Sequence, residues 1–356
     1  MPISLDMTGA TDTDVRISTS PLAEFGSAWH VLVADHHPEH ADWAAQVWAK
    51  LPAGVTDALA DWSFAVSAVR AALLADPTLV TGSGWSEQVA WIRRMPPKDF
   101  AASVLRPLAR RRGRAGDVGD ATVRAHVRSL ARARGPRARR TVTLVLDEPE
   151  AARDAFADLL DQAWTSFFAR EWGSAAPRLG EEASARSAMR DRDGWSRALS
   201  RLSPAVRVDA AAGRIVVDKV QNKRLAVAGR GLVLVPTVLG SGHLYVADEP
   251  GRPVVVHYPV PSPASAAGSR STLRRLNVLA HPARLEVCRA IAVEPRSARE
   301  IARLWGMAES TVTKHLSALR AVGLVHSERA GHYVRYSLDE RVITGLGPDL
   351  LDVLRR

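Results

Sequence analysis

SAREIARLWGMAESTVTKHLSALRAVGLVHSERAGHYVRY, residues 297–336, decides the fold of this chain. Ser297-Ala298-Arg299-Glu300 is a Ser-x-x-Glu capping box, in which a hydroxyl and a carboxylate satisfy the orphaned backbone N–H groups of a helix start. Ile301 and Leu304 mark the inner face of that scaffold helix, and Gly306 ends it as a residue tolerant of the left-handed conformation. A second periodic run follows, with Val312, Leu316, Leu319 and Val322 spaced 4, 3 and 3 apart, so this stripe faces a core. Its opposite face carries Ser310, Thr313, Lys314, Ser317 and Arg320, hydroxyls and cations suited to phosphates and base edges in a major groove.

After Gly323 the chain runs Leu324-Val325-His326-Ser327-Glu328-Arg329, turns through Ala330-Gly331-His332 and returns as Tyr333-Val334-Arg335-Tyr336-Ser337-Leu338. This is a β-hairpin with glycine at its tip, offering Arg329, His332 and Arg335 as exposed donors. Through Leu279-Ala280-His281-Pro282-Ala283-Arg284-Leu285, Ser310-Thr311-Val312-Thr313-Lys314-His315-Leu316 and Leu319-Arg320-Ala321-Val322-Gly323-Leu324-Val325, the region resembles the ArsR-like winged helix-turn-helix repressors. The resemblance implies a homodimer that lays the helix from Ser310 to Val322 in the major groove of a double-stranded operator, with the hairpin against the flanking backbone. The residues expected to touch DNA are Glu309, Ser310, Thr311, Thr313, Lys314, His315, Ser317, Arg320, Arg329, His332 and Arg335. Two positions depart from the family pattern: Ala308 replaces the usual hydroxyl cap, and Glu309 stands where a Gln amide is common. Glu309 can accept from a cytosine amino group or repel a phosphate.

Metal sensing in this family needs thiolates or His and carboxylate clusters at ligand spacing. The scaffold helix begins Ser297-Ala298-Arg299 where thiolate sensors carry Cys-x-Cys, and the segment after Leu338 contains no His, so no metal site is expected. The single cysteine, Cys288, lies on an apolar helix face and reads as core. After Leu338, Gly345, Gly347 and Pro348 interrupt the segment that supplies a dimer helix in the resembled family, leaving a short stripe of Leu350, Leu351 and Leu354. Dimerisation is therefore expected to draw at least partly on the upstream domain.

A chain of 356 residues exceeds one winged helix, and 46% hydrophobic content supports further cores. One cysteine excludes a disulfide framework, and neither a signal peptide nor a long apolar run is present. The expected location is the cytoplasm, at the nucleoid, with no membrane partner. The net charge of +10 suits nucleic acid. The segment 106–140 holds 12 Arg against two Asp and reads either as a solvated surface or as a second phosphate-contacting one.

The expected fold class is α+β: a mainly helical N-terminal domain with an antiparallel β-meander, then a C-terminal winged helix-turn-helix. The expected divisions are a disordered start at 1–14, an effector and dimerisation domain at 15–258 with a sub-boundary possible in 106–140, a Pro/Ser/Ala linker at 259–271, and the winged helix at 272–356. The meander spans Val206 to Tyr258, with Leu232 to Leu239 as its central strand, covered on both faces. Upstream are a strand at Val15 to Ser18 and helices near Leu22 to Ala34, Ala41 to Leu51, Thr56 to Leu74, Glu150 to Trp172 (behind an Asp147 cap) and Trp195 to Leu202. The arrangement also resembles actinobacterial regulators that join a large N-terminal domain of unknown function to an ArsR-like domain, through Ser20-Pro21-Leu22-Ala23-Glu24 and Gly229-Arg230-Gly231-Leu232-Val233-Leu234-Val235-Pro236.

His36-His37-Pro38-Glu39-His40 holds plausible metal donors, but Pro38 breaks the helical pairing of His36 with His40, and a polar loop is the simpler reading. No nucleophile elbow, P-loop, His-Glu-x-x-His or dinucleotide fingerprint occurs, so no catalytic residues and no cofactor are assigned. Upstream aromatics, and Trp91 with Arg93 and Arg94, either pack a core or line a pocket for a small-molecule effector of unidentified chemistry. The expected function is a sequence-specific repressor controlled through its N-terminal domain. The alternatives are a non-specific nucleoid-type DNA binder and, further off, an enzyme fused to a DNA-binding domain.

Overall fold

The computed structural model describes all residues except 1–2, 35–36, 38–39, 81, 83, 110–116, 201, 204, 219–222, 241–243, 261–262, 331–332 and 356. It divides into two compact units, Met1–Val260 and Pro261–Arg356. The first contains β1 (Ile3–Asp6), β2 (Val15–Ile17), α1 (Pro21–Val33), α2 (Ala41–Trp48), α3 (Ala53–Asp61), α4 (Ala72–Ala75), α5 (Trp85–Arg94), α6 (Pro97–Ala109), α7 (Ala121–Ala133), α8 (Pro136–Asp147) and α9 (Pro149–Ala163). A π-helical turn, Trp164–Phe168, leads into α10 (Ala169–Asp193), followed by α11 (Trp195–Leu199), β3 (Val206–Asp209), β4 (Arg214–Val217), β5 (Lys223–Ala226), β6 (Leu232–Thr237), β7 (Tyr245–Ala247) and β8 (Val254–Pro259).

Disorder was expected at 1–14, yet residues 3–14 hold a strand and a 3₁₀ turn. Ile3, Leu5 and Met7 alternate at period 2 and are buried, and β1 lies between β4 (antiparallel) and β5 (parallel). The strands also depart from a single antiparallel meander. They form two sheets, ordered β3-β4-β1-β5 and β2-β6-β8-β7, in which β2 with β6 and β6 with β8 run parallel. Every residue of β6 is buried. Its neighbour β2 comes from the far upstream end of the chain, and its other neighbour, β8, pairs in parallel, neither of which turn chemistry between adjacent strands reveals.

The aromatic residues fill the helical core. Ser20 caps α1, its hydroxyl accepting from Ala23 N–H at 3.2 Å with Pro21 at the first helical position, and α1 directs Phe25 and Trp29 inward. Trp62 and Phe156 meet edge-to-face at 5.0 Å, as do Phe25 and Phe168 at 5.2 Å. Each such ring removes roughly 150–250 Å² from water. The α9 cap is Glu148, because Asp147 ends α8. The region expected as one helix from Thr56 to Leu74 is instead α3, a 3₁₀ turn at Ser63–Val66 and the short α4. In the stretch 36–40, read as a polar loop rather than a metal site, His36, Pro38 and Glu39 lie outside the described residues; His37 is buried with Nε2 3.2 Å from His30 Nε2.

A polar layer lies between α1, α6 and the β6-β8-β7 edge. Arg106 pairs with Glu249 through Nε and donates from Nη1 to the Arg70 carbonyl at 3.0 Å. Arg70 in turn donates to Ser27 Oγ at 2.9 Å, and its guanidinium sits 4.6 Å above the Tyr245 ring. Glu24 accepts from the N–H groups of Val238 and Leu239 at 2.9 and 2.6 Å. His257 Nε2 lies 2.6 Å from the Ala75 carbonyl; a carbonyl can only accept, so Nε2 carries the proton. Burial, reinforced by Arg70, holds His257 at a pKa of about 3 against an ordinary 6.5.

This gives a signed expectation. Between pH 6.5 and about 3 the unfolded chain protonates His257 while the folded one does not, so stability falls as pH falls, by about 1.4 kcal/mol per pH unit. Glu24 acts in the opposite sense, because burial raises its pKa and protonation then favours the folded state. His257→Gln, which keeps a donor for Ala75, should flatten the decline of denaturant stability between pH 6.5 and 4.5. An unaltered decline would remove His257 as its source.

Candidate nucleic-acid interface

The second unit comprises α12 (Pro263–Leu279), α13 (Pro282–Ile291), β9 (Arg296–Ser297), α14 (Ala298–Trp305), α15 (Glu309–Ala321), β10 (Val325–Ala330), β11 (Tyr333–Leu338) and α16 (Glu340–Arg355). Part of the segment 259–271 expected as a linker belongs to α12, which starts at Pro263. Proline is well placed in a first helical turn, where its missing N–H would find no partner anyway. The glycines and Pro348 expected to interrupt the C-terminus lie within one helix, α16. Leu346 holds α16 on the core, and Asp339 accepts from Val342 N–H at 3.2 Å at its start.

The capping box forms as its residues dictate. Glu300 N–H donates to Ser297 Oγ at 3.3 Å, and Ser297 N–H donates to the Glu300 carboxylate at 2.7 Å. Those bonds hold the Glu300 carboxyl below its usual range. Gly306 ends α14 at φ +61°, and Met307 N–H reaches back to the Ala302 carbonyl at 3.0 Å. Gly323 ends α15 at φ +74°, where Gly323 N–H bonds Arg320 O and Leu324 N–H bonds Leu319 O, both at 3.0 Å. These paired bonds are a Schellman motif, which turns the chain sharply into β10.

The helix faces separate cleanly. Val312, Leu316 and Leu319 are fully buried against Val287, Ile291, Ile301 and Leu324. Leu304, expected on the inner face of α14, is 56% exposed, and Ala302 takes the inward position beside Ile301. Glu309, Ser310, Thr311, Thr313, Lys314, Ser317 and Arg320 are exposed. Ala308 provides no side-chain cap, so the first N–H groups of α15 lack a side-chain acceptor from that position.

Four expected contact residues have more specific placements. Thr313 donates to the Glu309 carbonyl at 2.9 Å, which fixes its rotamer on the helix. Arg320 donates to Ser327 Oγ on β10 at 3.2 Å, tying the end of α15 to the hairpin. Arg335 donates to the Pro295 carbonyl at 3.2 Å and lines a groove with Ser297, Arg299, Glu300 and Arg303, so it serves the β9–α14 side. His315 is half-buried 5.2 Å from the His281 ring, and burial, then His281 and Arg284, lower its pKa. Arg329 is exposed on β10, and His332 lies outside the described residues. Arg299 and Arg303 sit on the scaffold helix, off the face of α15. Their i, i+4 spacing on α14 is the sequence signal for the cationic groove that they line with Arg335.

Cys288 is buried in the core, and burial pushes its thiol to a pKa of about 11, so it is not a thiolate at neutral pH. Upstream, Trp91 and Arg94 line an open groove with Gly82, Ser86, Glu87 and Ala90, while Arg93 is held by Asp158 and Asp161 at 2.8 Å each. No helix among the described residues is long and apolar enough to cross a membrane.

A capped scaffold helix, a tight turn, an exposed polar helix and a two-stranded wing define the second unit as a winged helix-turn-helix, a DNA-binding module of transcriptional regulators. The chain belongs to a family of unknown function, DUF5937, whose model matches residues 1–264, and a helix-turn-helix domain model matches residues 279–328. The HTH-type transcriptional regulator YgaV of Escherichia coli (strain K12) is 27% identical over 88 residues, which are 24% of this chain and 89% of that protein. Among solved structures, an ArsR-like transcriptional regulator from Rhodococcus sp. RHA1 is 24% identical, with a TM-score of 0.23, over 25% of this chain and 82% of its own. NolR from Sinorhizobium fredii is 28% identical, with a TM-score of 0.22, over 24% and 88%.

Proposed function

We propose that this protein is a sequence-specific repressor that binds a double-stranded operator as a homodimer and is controlled through its N-terminal unit. One observation carries the reading. α15 buries Val312, Leu316 and Leu319 while its N-terminal half holds Glu309, Ser310, Thr311, Thr313 and Lys314 at the surface. In a major groove, Lys314 meets a phosphate as a point charge, Ser310 and Thr311 bond phosphate or base edges, and Glu309 accepts from a cytosine amino group.

The dimer reading is supported by α12 and α16, which pack on each other and expose Leu273 on one helix and Leu351 and Leu354 on the other. These leucines form an apolar surface for a second copy, so the dimer draws on the C-terminal unit as well as the N-terminal one. Control without metal is supported by the thiolate-free start of α14 and by the buried, protonated Cys288. A small-molecule effector acts by binding one conformation of the N-terminal unit more tightly, which shifts the population able to span successive major grooves. We assign no catalytic residues and place the protein in the cytoplasm, at the nucleoid.

The test separates two kinds of contact. Lys314→Ala should weaken binding to all DNA and reduce the salt slope by about one unit, whereas Glu309→Gln and Thr313→Val should shift sequence preference with little change in slope. If all three substitutions leave both slope and preference unchanged, α15 is not the reading helix.

A further inference from the structure

The α7–α8 hairpin holds seven arginines and a single acid, Asp147. The structure sorts those arginines. Arg124 and Arg128 reach Asp147 at 3.2 and 2.7 Å. Arg137 takes Asp57 and Asp61 of α3 at 2.8 and 3.0 Å, with Arg140 3.9 Å from Asp61. Arg132, Arg134 and Arg139 remain exposed, with no carboxylate partner among the described residues. Gly135 at φ +106° and Pro136, the first residue of α8, turn the chain between them, so all three cluster around one helical corner.

Local stability accounts for part of this cluster only. Arg132 in the last turn of α7, and Arg134 at its C-cap, complement the negative end of that helix. Arg139 lies near the N-terminus of α8, where a cation opposes the helix dipole, and the glycine cap offers no side chain to offset it. The corner carries no exposed large apolar or aromatic side chain. It therefore suits a polyanionic backbone, and it offers neither a membrane-inserting wedge nor a base-stacking platform.

We infer that the α7–α8 corner of the N-terminal unit is a second DNA contact, in which Arg132, Arg134 and Arg139 grip phosphodiesters of duplex DNA without reading sequence. The inference rests on the DNA-binding reading of the C-terminal unit and adds a role for the N-terminal one. Each guanidinium that neutralises a phosphate releases condensed counterions, so the corner contributes affinity that falls steeply with salt.

The experiment uses the full chain and a mixed-sequence duplex of about 30 base pairs, with the affinity followed across a salt series. The triple substitution R132A/R134A/R139A should make the log–log salt slope shallower by about two to three units. R124A/R128A, which removes arginines already held by Asp147, should change the slope by less than about one unit. An unchanged slope in the triple variant overturns the proposal, as does an equal change in the double variant, which would reflect net charge alone. A triple variant that loses binding to anionic vesicles while keeping its DNA slope overturns it too. The two readings fail separately: absence of any effect of the Lys314, Glu309 and Thr313 substitutions removes the recognition helix, and absence of the triple-variant effect removes only the α7–α8 corner.

Discussion

Leu316→Ala should cost the C-terminal unit about 2–5 kcal/mol and abolish operator binding. Leu316 is fully buried, and its own helix presents the residues proposed to meet DNA, so a cavity beneath it loosens the platform holding Lys314 and Glu309. Small domains hold only about 5–15 kcal/mol in total, so the loss is a large fraction. The check is calorimetry of the full chain beside a DNA-binding measurement. The transition of the C-terminal unit should drop in temperature while that of the N-terminal unit stays in place. A variant that melts and binds like the parent would show that Leu316 does not support the recognition surface.

Glu249→Ala should destabilise the N-terminal unit by a similar amount, about 3–5 kcal/mol, for a different reason. The Arg106 side chain is only 3% exposed, and removing its carboxylate leaves a buried guanidinium with backbone and phenol acceptors alone. The pair should be worth far less than this cost of breaking it, because two charges were already taken out of water to form it. Arg106→Met combined with Glu249→Leu should accordingly recover most of the stability lost in Glu249→Ala. Urea unfolding of the three variants measures this. A Glu249→Ala variant within about 0.5 kcal/mol of the parent would place Arg106 in water.

The C-terminal unit was legible because its determinants are local. Ser297 and Glu300 are three residues apart, Gly306 and Gly323 close the helices they follow, and the apolar spacing of α15 alone separates its two faces. Where partners are distant, reading failed. β1 needs β4 and β5 from more than two hundred residues away, and β6 takes β2 from the N-terminus as a parallel neighbour. The C-terminal glycines and Pro348 suggested a break, yet packing of Leu346 on the core keeps α16 continuous. In the candidate interface, the exposed face of α15 followed from periodicity. The diversion of Arg335 to Pro295 and the pairing of His315 with His281 follow from β9 and α13, which periodicity along α15 does not locate.

The arginine-rich segment shows the same limit. Its charge is plain in the sequence, but only three-dimensional neighbours distinguish Arg106, buried against Glu249, from Arg124 held by Asp147 and from Arg139 at an open corner. Net charge therefore says that nucleic acid is a suitable partner, and geometry says which arginines are free to meet it.

The central claim, operator-specific DNA binding through α15, is tested most directly by footprinting genomic fragments with the full chain under a rising excess of unrelated DNA. The account predicts a discrete, twofold-symmetric protected segment that persists to about a thousandfold excess and moves or vanishes in Glu309→Gln. Protection that spreads along every fragment and fades in proportion to the competitor, unchanged by that substitution, would contradict it.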